Sequence, residues 1–286
     1  MSKLALLLLS EMRVKQWTKN ILVYAALIFN GRFFYVKDFL INSAVFFAFC
    51  MSASGIYIIN DIRDIDKDRH NPKKCNRPLA AGTLGITPAL VCSFTDLILG
   101  LAIAFAVNVP CFLLLLSYVV LNLLYTFWLK NVVIIDVMII AYGFVVRAAA
   151  GAAATNVEMT AWFLICIMFL SLFLAFGKRR YELIQAGSKT IPEGREVLKY
   201  YSLTLIDHMI NIVTSAMIMS YALFAMENRE MAFTIPIVLY GVFYYMYVVH
   251  VKNGGGSPDE ELYKELPILM TVIVYVAYVI AARNLY

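Results

Sequence analysis

Residues 38–70 read DFLINSAVFFAFCMSASGIYIINDIRDIDKDRH, an apolar run that empties into a dense cluster of charge. The apolar part is long enough for a bilayer-spanning helix, which needs about 20 such residues. If that helix continues through the cluster, Asp61, Asp64 and Asp68 fall at i, i+3 and i+7 and stack on one face. Carboxylates so close repel one another; they escape by raised pKa values or by binding a hard divalent cation. Mg²⁺ is usually held by one or two carboxylates together with substrate phosphates. Lys73, Lys74 and Arg77 follow directly as candidate phosphate contacts. The cluster reads as a magnesium–diphosphate site at a membrane surface. The same residues also read as a solvated, mixed-charge helix end with topogenic cations.

Outward from this stretch the composition is uniform. Of 286 residues, 62% are hydrophobic and 15% charged, and the mean hydropathy is +0.77. A soluble fold has too little interior to hide that much apolar side chain, so an ordinary soluble domain is excluded. The pattern predicts an all-α integral membrane protein with nine spans near 14–31, 38–60, 86–107, 110–129, 132–154, 159–177, 204–226, 232–250 and 267–285. Nineteen of the 24 Lys and Arg then fall on one face, while Arg32, Lys37, Arg229 and Arg283 fall on the other and Arg147 lies inside a span. By the positive-inside rule the N-terminus and the even-to-odd loops are cytoplasmic.

Cys50, Cys92, Cys111 and Cys166 lie in apolar segments and Cys75 in a cytoplasmic loop, with no CxxC or Cys/His spacing, so neither disulfides nor a zinc or iron–sulfur site is expected. The Leu4–Leu9 run is too short for a signal-peptide core and reads as an interfacial helix. Gly254-Gly255-Gly256-Ser257-Pro258 is the one linker-like stretch. Arg-rich loops follow both the second and the sixth span, an echo that fits a duplicated four-helix unit.

Asn60-Asp61-x-x-Asp64-x-x-x-Asp68, followed by Asn76-Arg77-Pro78-Leu79-Ala80-Ala81-Gly82, resembles the first aspartate motif of the UbiA superfamily of intramembrane prenyltransferases. The resemblance covers nearly the whole chain. It implies a single domain over 1–286, a bundle of about nine transmembrane helices around a central cavity capped by cytoplasmic loops. It further implies Mg²⁺ held against a diphosphate by Asp61, Asp64 and Asp68, with Asn60 in support. Members of that superfamily carry a second motif, DxxxD, after the sixth span. Here that position reads Phe176-Gly177-Lys178-Arg179-Arg180-Tyr181-Glu182-Leu183. Three cations and one carboxylate do not make a second metal site, although they can bind phosphate directly.

This variant, with Val14-Lys15-Gln16-Trp17-Thr18-Lys19-Asn20, Tyr125-Thr126-x-x-Leu129-Lys130, Gly143-Phe144-Val145-Val146-Arg147 and Gly256-Ser257-Pro258-Asp259-Glu260, is similar to the decaprenyl-phosphate phosphoribosyltransferase branch. The branch resemblance implies transfer of 5-phosphoribose from phosphoribosyl diphosphate to a polyprenyl phosphate, in a multi-pass protein of the inner (plasma) membrane with its site facing the cytoplasm. Its partners would be those two substrates and the bilayer, not nucleic acid. Substrate contacts would fall on Lys15, Lys19, Asn20, Asn60, Lys73, Arg77, Tyr125, Lys130, Arg147, Lys178, Arg179, Arg180 and Glu182. Three anionic groups need many cations, and a phosphate monoester is already an anionic nucleophile that requires no strong general base.

A centrally placed Arg costs at least about 2.5 kcal/mol in a membrane span. Arg147 is therefore expected to face the cavity, either contacting phosphate or pairing with Asp96 or Asp136. Trp17 reads as an interfacial anchor, Asp207 and His208 as caps of the seventh span, and His70, His208 and His250 lack ligand spacing. Two other functions fit less of the sequence. A conventional prenyltransferase acting on a prenyl diphosphate and an aromatic acceptor leaves Lys178–Glu182 unexplained. A transporter of a phosphorylated metabolite would distribute functional charge on both sides.

Overall fold

A computed structural model describes residues 3–72, 74–187, 196–227 and 230–285. Lys73 lies outside the described residues, so its expected phosphate contact has no structural counterpart here. Regular structure among the described residues is helical throughout: α1 (Lys3–Glu11), a 3₁₀ helix (Val14–Tyr24), α2 (Ala25–Phe29), α3 (Val36–Arg63), α4 (Ile65–His70), α5 (Ile86–Val107), α6 (Val109–Phe127), α7 (Ile135–Thr155), α8 (Ala161–Gly187), α9 (Leu203–Met226), α10 (Ile235–His250), α11 (Pro258–Lys264) and α12 (Leu266–Leu285). Seven helical stretches, starting at Val36, Ile86, Val109, Ile135, Ala161, Leu203 and Met231, are long and apolar enough to cross a membrane. The chain is a multi-pass membrane protein.

The first expected span departs from the sequence reading. Residues 14–24 wind as a 3₁₀ helix and only Ala25–Phe29 are α-helical. Val23, Ala26 and Leu27 are completely buried, because this segment is wedged against α3 and α7. A 3₁₀ helix rises about 2.0 Å per residue against about 1.5 Å for an α-helix, so the two pieces together reach about 30 Å.

α7 is the most enclosed long helix, and it separates two side-chain clusters. On one side Phe49, Leu97, Leu115 and Val146 join α3, α5, α6 and α7; on the other Val137, Phe173, Ile210 and Tyr245 join α7, α8, α9 and α10. Helices in a membrane gain little from excluding lipid and pack instead through small residues. α3 and α5 do so at Gly55 and Gly100: a Cβ on Gly55 would stand 2.7 Å from the Ser93 carbonyl, and one on Gly100 2.3 Å from Ser52 Oγ. Ser93 Oγ donates to the Gly55 carbonyl at 2.8 Å across the same contact. α1 packs Leu7, Leu8 and Met12 on Ile58 and Leu79 while Leu4, Leu6 and Leu9 stay exposed, the two-sided pattern of an interfacial helix.

Candidate active site

The charged groups collect where α3, α6, α8 and α10 end and α7 and α9 begin. α3 stops at Arg63. Asp64 leaves helical geometry at φ −98°, ψ 13°, and α4 restarts at Ile65. The helix is interrupted only at Asp64: the Asp64 amide still donates to the Asn60 carbonyl at 3.0 Å and the Asp68 amide to the Asp64 carbonyl at 2.8 Å, so the i to i−4 pattern carries across the break. Asp61 and Asp68 are 2% and 3% exposed, and Arg77 Nη1 bridges them at 3.2 and 2.6 Å. Arg13 also donates to Asp61 through Nη2, and Lys74 Nζ reaches Asp68 Oδ1 at 3.1 Å. Asp64 turns to Lys130, whose Nζ lies 2.9 and 2.7 Å from its two oxygens.

Local turns hold these cations. The amides of Thr83 and Leu84 both donate to the Pro78 carbonyl, at 3.0 and 3.1 Å, closing the Arg77–Leu84 turn. The Leu79 amide donates to Glu11 Oε1 at 2.7 Å, tying the turn to α1. Burial pushes the Glu11 carboxyl up to about 6; the Leu79 amide opposes that shift and neighbouring Asp61 reinforces it. Arg13 sits at φ 51°, a left-handed conformation uncommon for a side-chain-bearing residue, with its guanidinium 5.0 Å above the Tyr57 ring.

The α8 exit is built differently. Arg179 is 1% exposed; its Nε donates to Asp136 Oδ2 at 2.8 Å and its Nη1 to Glu182 Oε2 at 2.9 Å. The Tyr201 hydroxyl donates to Asp136 Oδ1 at 2.9 Å and accepts the Ile134 amide at 2.7 Å. That second bond anchors Ile134 at φ 70°, a conformation β-branched residues rarely adopt. Arg180 Nε donates to Asp207 Oδ1 at 2.8 Å and its Nη1 to the Val249 carbonyl at 2.8 Å. Asp207 is thus an ion-pair partner and not a helix cap. Ser202 caps α9 by accepting the Leu205 amide at 3.1 Å.

Deeper in the bundle, Arg147 Nε donates to Asn20 Oδ1 at 2.6 Å and Nη2 to the Tyr118 hydroxyl at 2.9 Å. The expected pairing with Asp96 or Asp136 does not occur. Asp136 is taken by Arg179, and Asp96 lies 3.8 Å from Cys92 Sγ. Trp17, read as an interfacial anchor, donates its Nε1 to Ser54 Oγ at 3.1 Å.

The structure thus brings Asp61, Asp64, Asp68, Arg77 and Lys130 to one mouth. Asn60 stands one turn below, its carbonyl accepting the Asp64 amide at 3.0 Å. Lys178, half-buried, shares the α8 exit with Arg179, Arg180 and Glu182, and Tyr125 lies within electrostatic reach of Arg179. Lys15 is exposed and Lys19 half-buried on the 3₁₀ segment. Among the described residues no group of three or more His, Cys, Asp or Glu stands close enough to hold a metal ion by itself. Sequence reasoning missed Glu11, Arg13, Asp136 and Tyr201 as parts of this end; Glu11 and Arg13 carried a signal as charges directly ahead of the first apolar segment.

A sequence profile described as the UbiA prenyltransferase family matches residues 21–281. Among curated relatives, a decaprenyl-phosphate phosphoribosyltransferase of Corynebacterium glutamicum is 31% identical, over 96% of this chain and 86% of its own. One of the same name from Mycobacterium tuberculosis is 30% identical, over 94% and 92%. Among solved structures, a UbiA homologue from Archaeoglobus fulgidus bound to GPP and Mg²⁺ superposes with TM-score 0.76 at 18% identity, covering 97% of this chain and 99% of that one.

Proposed function

The chain belongs to the UbiA prenyltransferase family and is a membrane transferase, and from that premise we propose that it transfers 5-phosphoribose from phosphoribosyl diphosphate to a polyprenyl phosphate of decaprenyl type, releasing diphosphate. The observation that carries this reading is the convergence of cations on the aspartates: Arg13, Lys74, Arg77 and Lys130 all close on Asp61, Asp64 and Asp68, and Lys178, Arg179 and Arg180 occupy the sequence position at which the superfamily carries its second aspartate motif. Donor and acceptor together bring a diphosphate and two phosphate monoesters, and such a set of guanidinium and ammonium groups suits them. The relatives named for this reaction support the same assignment.

The donor set fits a hard divalent cation. Asp61 and Asp68 present carboxylate oxygens to the same guanidinium nitrogen, so one positive centre already bridges them. Mg²⁺ would be held there by Asp61 and Asp68, with Asp64 beside them, as one or two carboxylates plus substrate phosphates commonly hold it. When bound, it would neutralise charge on a departing diphosphate. Arg77 and Arg13 then turn from the carboxylates to the diphosphate oxygens, where a guanidinium donates in parallel to two acceptors. Lys130 does the same from the Asp64 side. Arg179, locked between Asp136 and Glu182, keeps a fixed positive charge beside Tyr125. The acceptor phosphate attacks the anomeric carbon as an anion without a base, and its tail lies along apolar helix faces, entering from the bilayer. This mouth faces the cytoplasm, as the charge asymmetry predicts.

Incubating purified protein and Mg²⁺ with labelled phosphoribosyl diphosphate, then extracting lipid, tests the proposal. Label should enter the lipid phase only when polyprenyl phosphate is present. Prenylation of an aromatic acid from a prenyl diphosphate, with no ribose reaching lipid, would transfer the assignment to the conventional branch.

A further inference from the structure

Arg147 is a buried charge that the proposed chemistry leaves unexplained. It is 5% exposed and lies about 18 Å along α7 from the aspartate end. Among the described residues no carboxylate pairs with it, and every contact is with a neutral group. Asn20 and Tyr118 accept its Nε and Nη2. The rings of Tyr118, Phe144 and Phe49 lie 4.7, 5.4 and 6.0 Å from its Cζ. Nη1 makes no hydrogen bond among the described residues and lies over Gly143. A Cβ there would stand 3.2 Å from Nη1 and 3.4 Å from the Tyr118 ring. Gly143 precedes Arg147 by one turn, so the guanidinium is folded back toward the aspartate end of α7.

Neutral acceptors and ring faces orient a guanidinium but leave its charge uncompensated, which is unfavourable where water is excluded. An anion that arrives with the substrate would complete the site, and the planar fork of Arg matches phosphate oxygens better than any other side chain does. We propose that Arg147, fixed by Asn20 and Tyr118 over Gly143, is a deep subsite for a phosphate monoester, set below the aspartates that face the diphosphate. This rests on the reading of the protein as acting on phosphorylated substrates. The monoester has two sources, the 5-phosphate of the donor and the phosphate of the lipid acceptor.

Binding and turnover are measured separately on the full chain in detergent. Ribose 5-phosphate and farnesyl phosphate serve as probes, each titrated calorimetrically against its dephosphorylated counterpart, ribose or farnesol. Wild type should prefer at least one monoester, and Arg147→Met should weaken that binding by about tenfold or more while the melting temperature is retained. Loss confined to ribose 5-phosphate assigns the subsite to the donor, and loss confined to farnesyl phosphate assigns it to the lipid. Gly143→Ala, which presses a methyl group onto Nη1, should weaken the same ester. If Arg147→Met does not fold, Arg147→Lys decides: it keeps the charge without the fork and should still weaken the ester. Unchanged affinity in the folded variants, or no preference of wild type for either monoester, overturns the proposal. Arg147-dependent binding without phosphoribosyl transfer would remove the proposed reaction and leave the subsite standing.

Discussion

The helix exits after α3 and at the end of α8 both assemble Asp and Arg, but they hold their ions in opposite ways. After α3, Asp61 and Asp68 are sealed while the cations on them remain partly open: Arg13, Arg77 and Lys74 keep 23%, 27% and 41% of their side-chain surface. At α8 both members of the Arg179–Asp136 pair are enclosed, at 2% and 0%. A partly solvated cation can swing from its carboxylate to a phosphate provided another cation takes its place beside the sealed carboxylate, as the proposed divalent metal would. An enclosed pair cannot separate without leaving a bare charge in a dry interior. The α3 exit is thus arranged for exchange of ions, and the α8 exit for a fixed charge and a fixed backbone. An argument from residue type alone treats the two as equivalent phosphate binders.

The sharpest way to break this contrast is Arg179→Met. It strands Asp136, so about 3–5 kcal/mol of stability should be lost, read as a fall of roughly 10 °C in melting temperature in detergent. A second substitution, Asp136→Asn, added to the first should recover part of the loss, since it removes the stranded charge. Additive losses would mean that the two residues act independently. If Arg179→Met instead melts like wild type and loses only substrate affinity, Arg179 belongs with the exchangeable set.

Asp64→Asn makes the opposite demand. Asp64 and Lys130 are 16% and 13% exposed, so the fold should survive, whereas turnover should fall by at least about a hundredfold, the scale of removing one preorganised electrostatic contact. Near-normal turnover of the folded variant would remove the aspartates from the chemistry. Smaller again is Lys130→Gln, which takes one cation from several. A rise of about tenfold in the apparent Michaelis constant for the phosphoribosyl donor is expected, with turnover less affected. Unchanged kinetics would assign Lys130 to holding Asp64 alone.

The sequence made some of this legible and left the rest closed, for identifiable reasons. α5 is plain because a long, mostly apolar run is bounded by Gly85 and by Asn108, whose side chain caps α6 by accepting the Cys111 amide at 2.8 Å. The 14–31 segment is not, because its 3₁₀ winding follows from being wedged between α3 and α7, a tertiary condition that hydropathy does not encode. Within the candidate site, Asp61, Asp64 and Asp68 stand out by type and spacing. That Arg13, 48 residues away, meets Asp61 does not. Charge pattern points Arg147 to a phosphate or to Asp96 or Asp136, whereas its neutral partners Asn20 and Tyr118 leave no charge signal in the sequence.

The smallest expected effect sharpens the same contrast from outside. Lys252 and Glu265, in the turns beside α10 and α12, pair at 2.7 Å with 40% and 20% of their side chains exposed, so here both partners are open to solvent. The hydrogen bond between them raises the Lys252 pKa from 10.5 and lowers that of Glu265 from 4.5. With the lysine raised, its share of stability is complete below its unfolded value and is lost as pH rises through the folded one. With the carboxylate lowered, its share is complete above 4.5 and is lost as pH falls through the folded value. Between pH 4.5 and 10.5 neither limit is reached, so this pair should add no pH dependence to the melting temperature there. Lys252→Gln should shift melting by less than about 2 °C, as exposed pairs do, and should leave the Michaelis constants of both substrates unchanged. A change in either constant would show that charge at this distance is felt at the mouth. The division between exchangeable and fixed ions would then extend beyond the two helix exits to the loops that surround them.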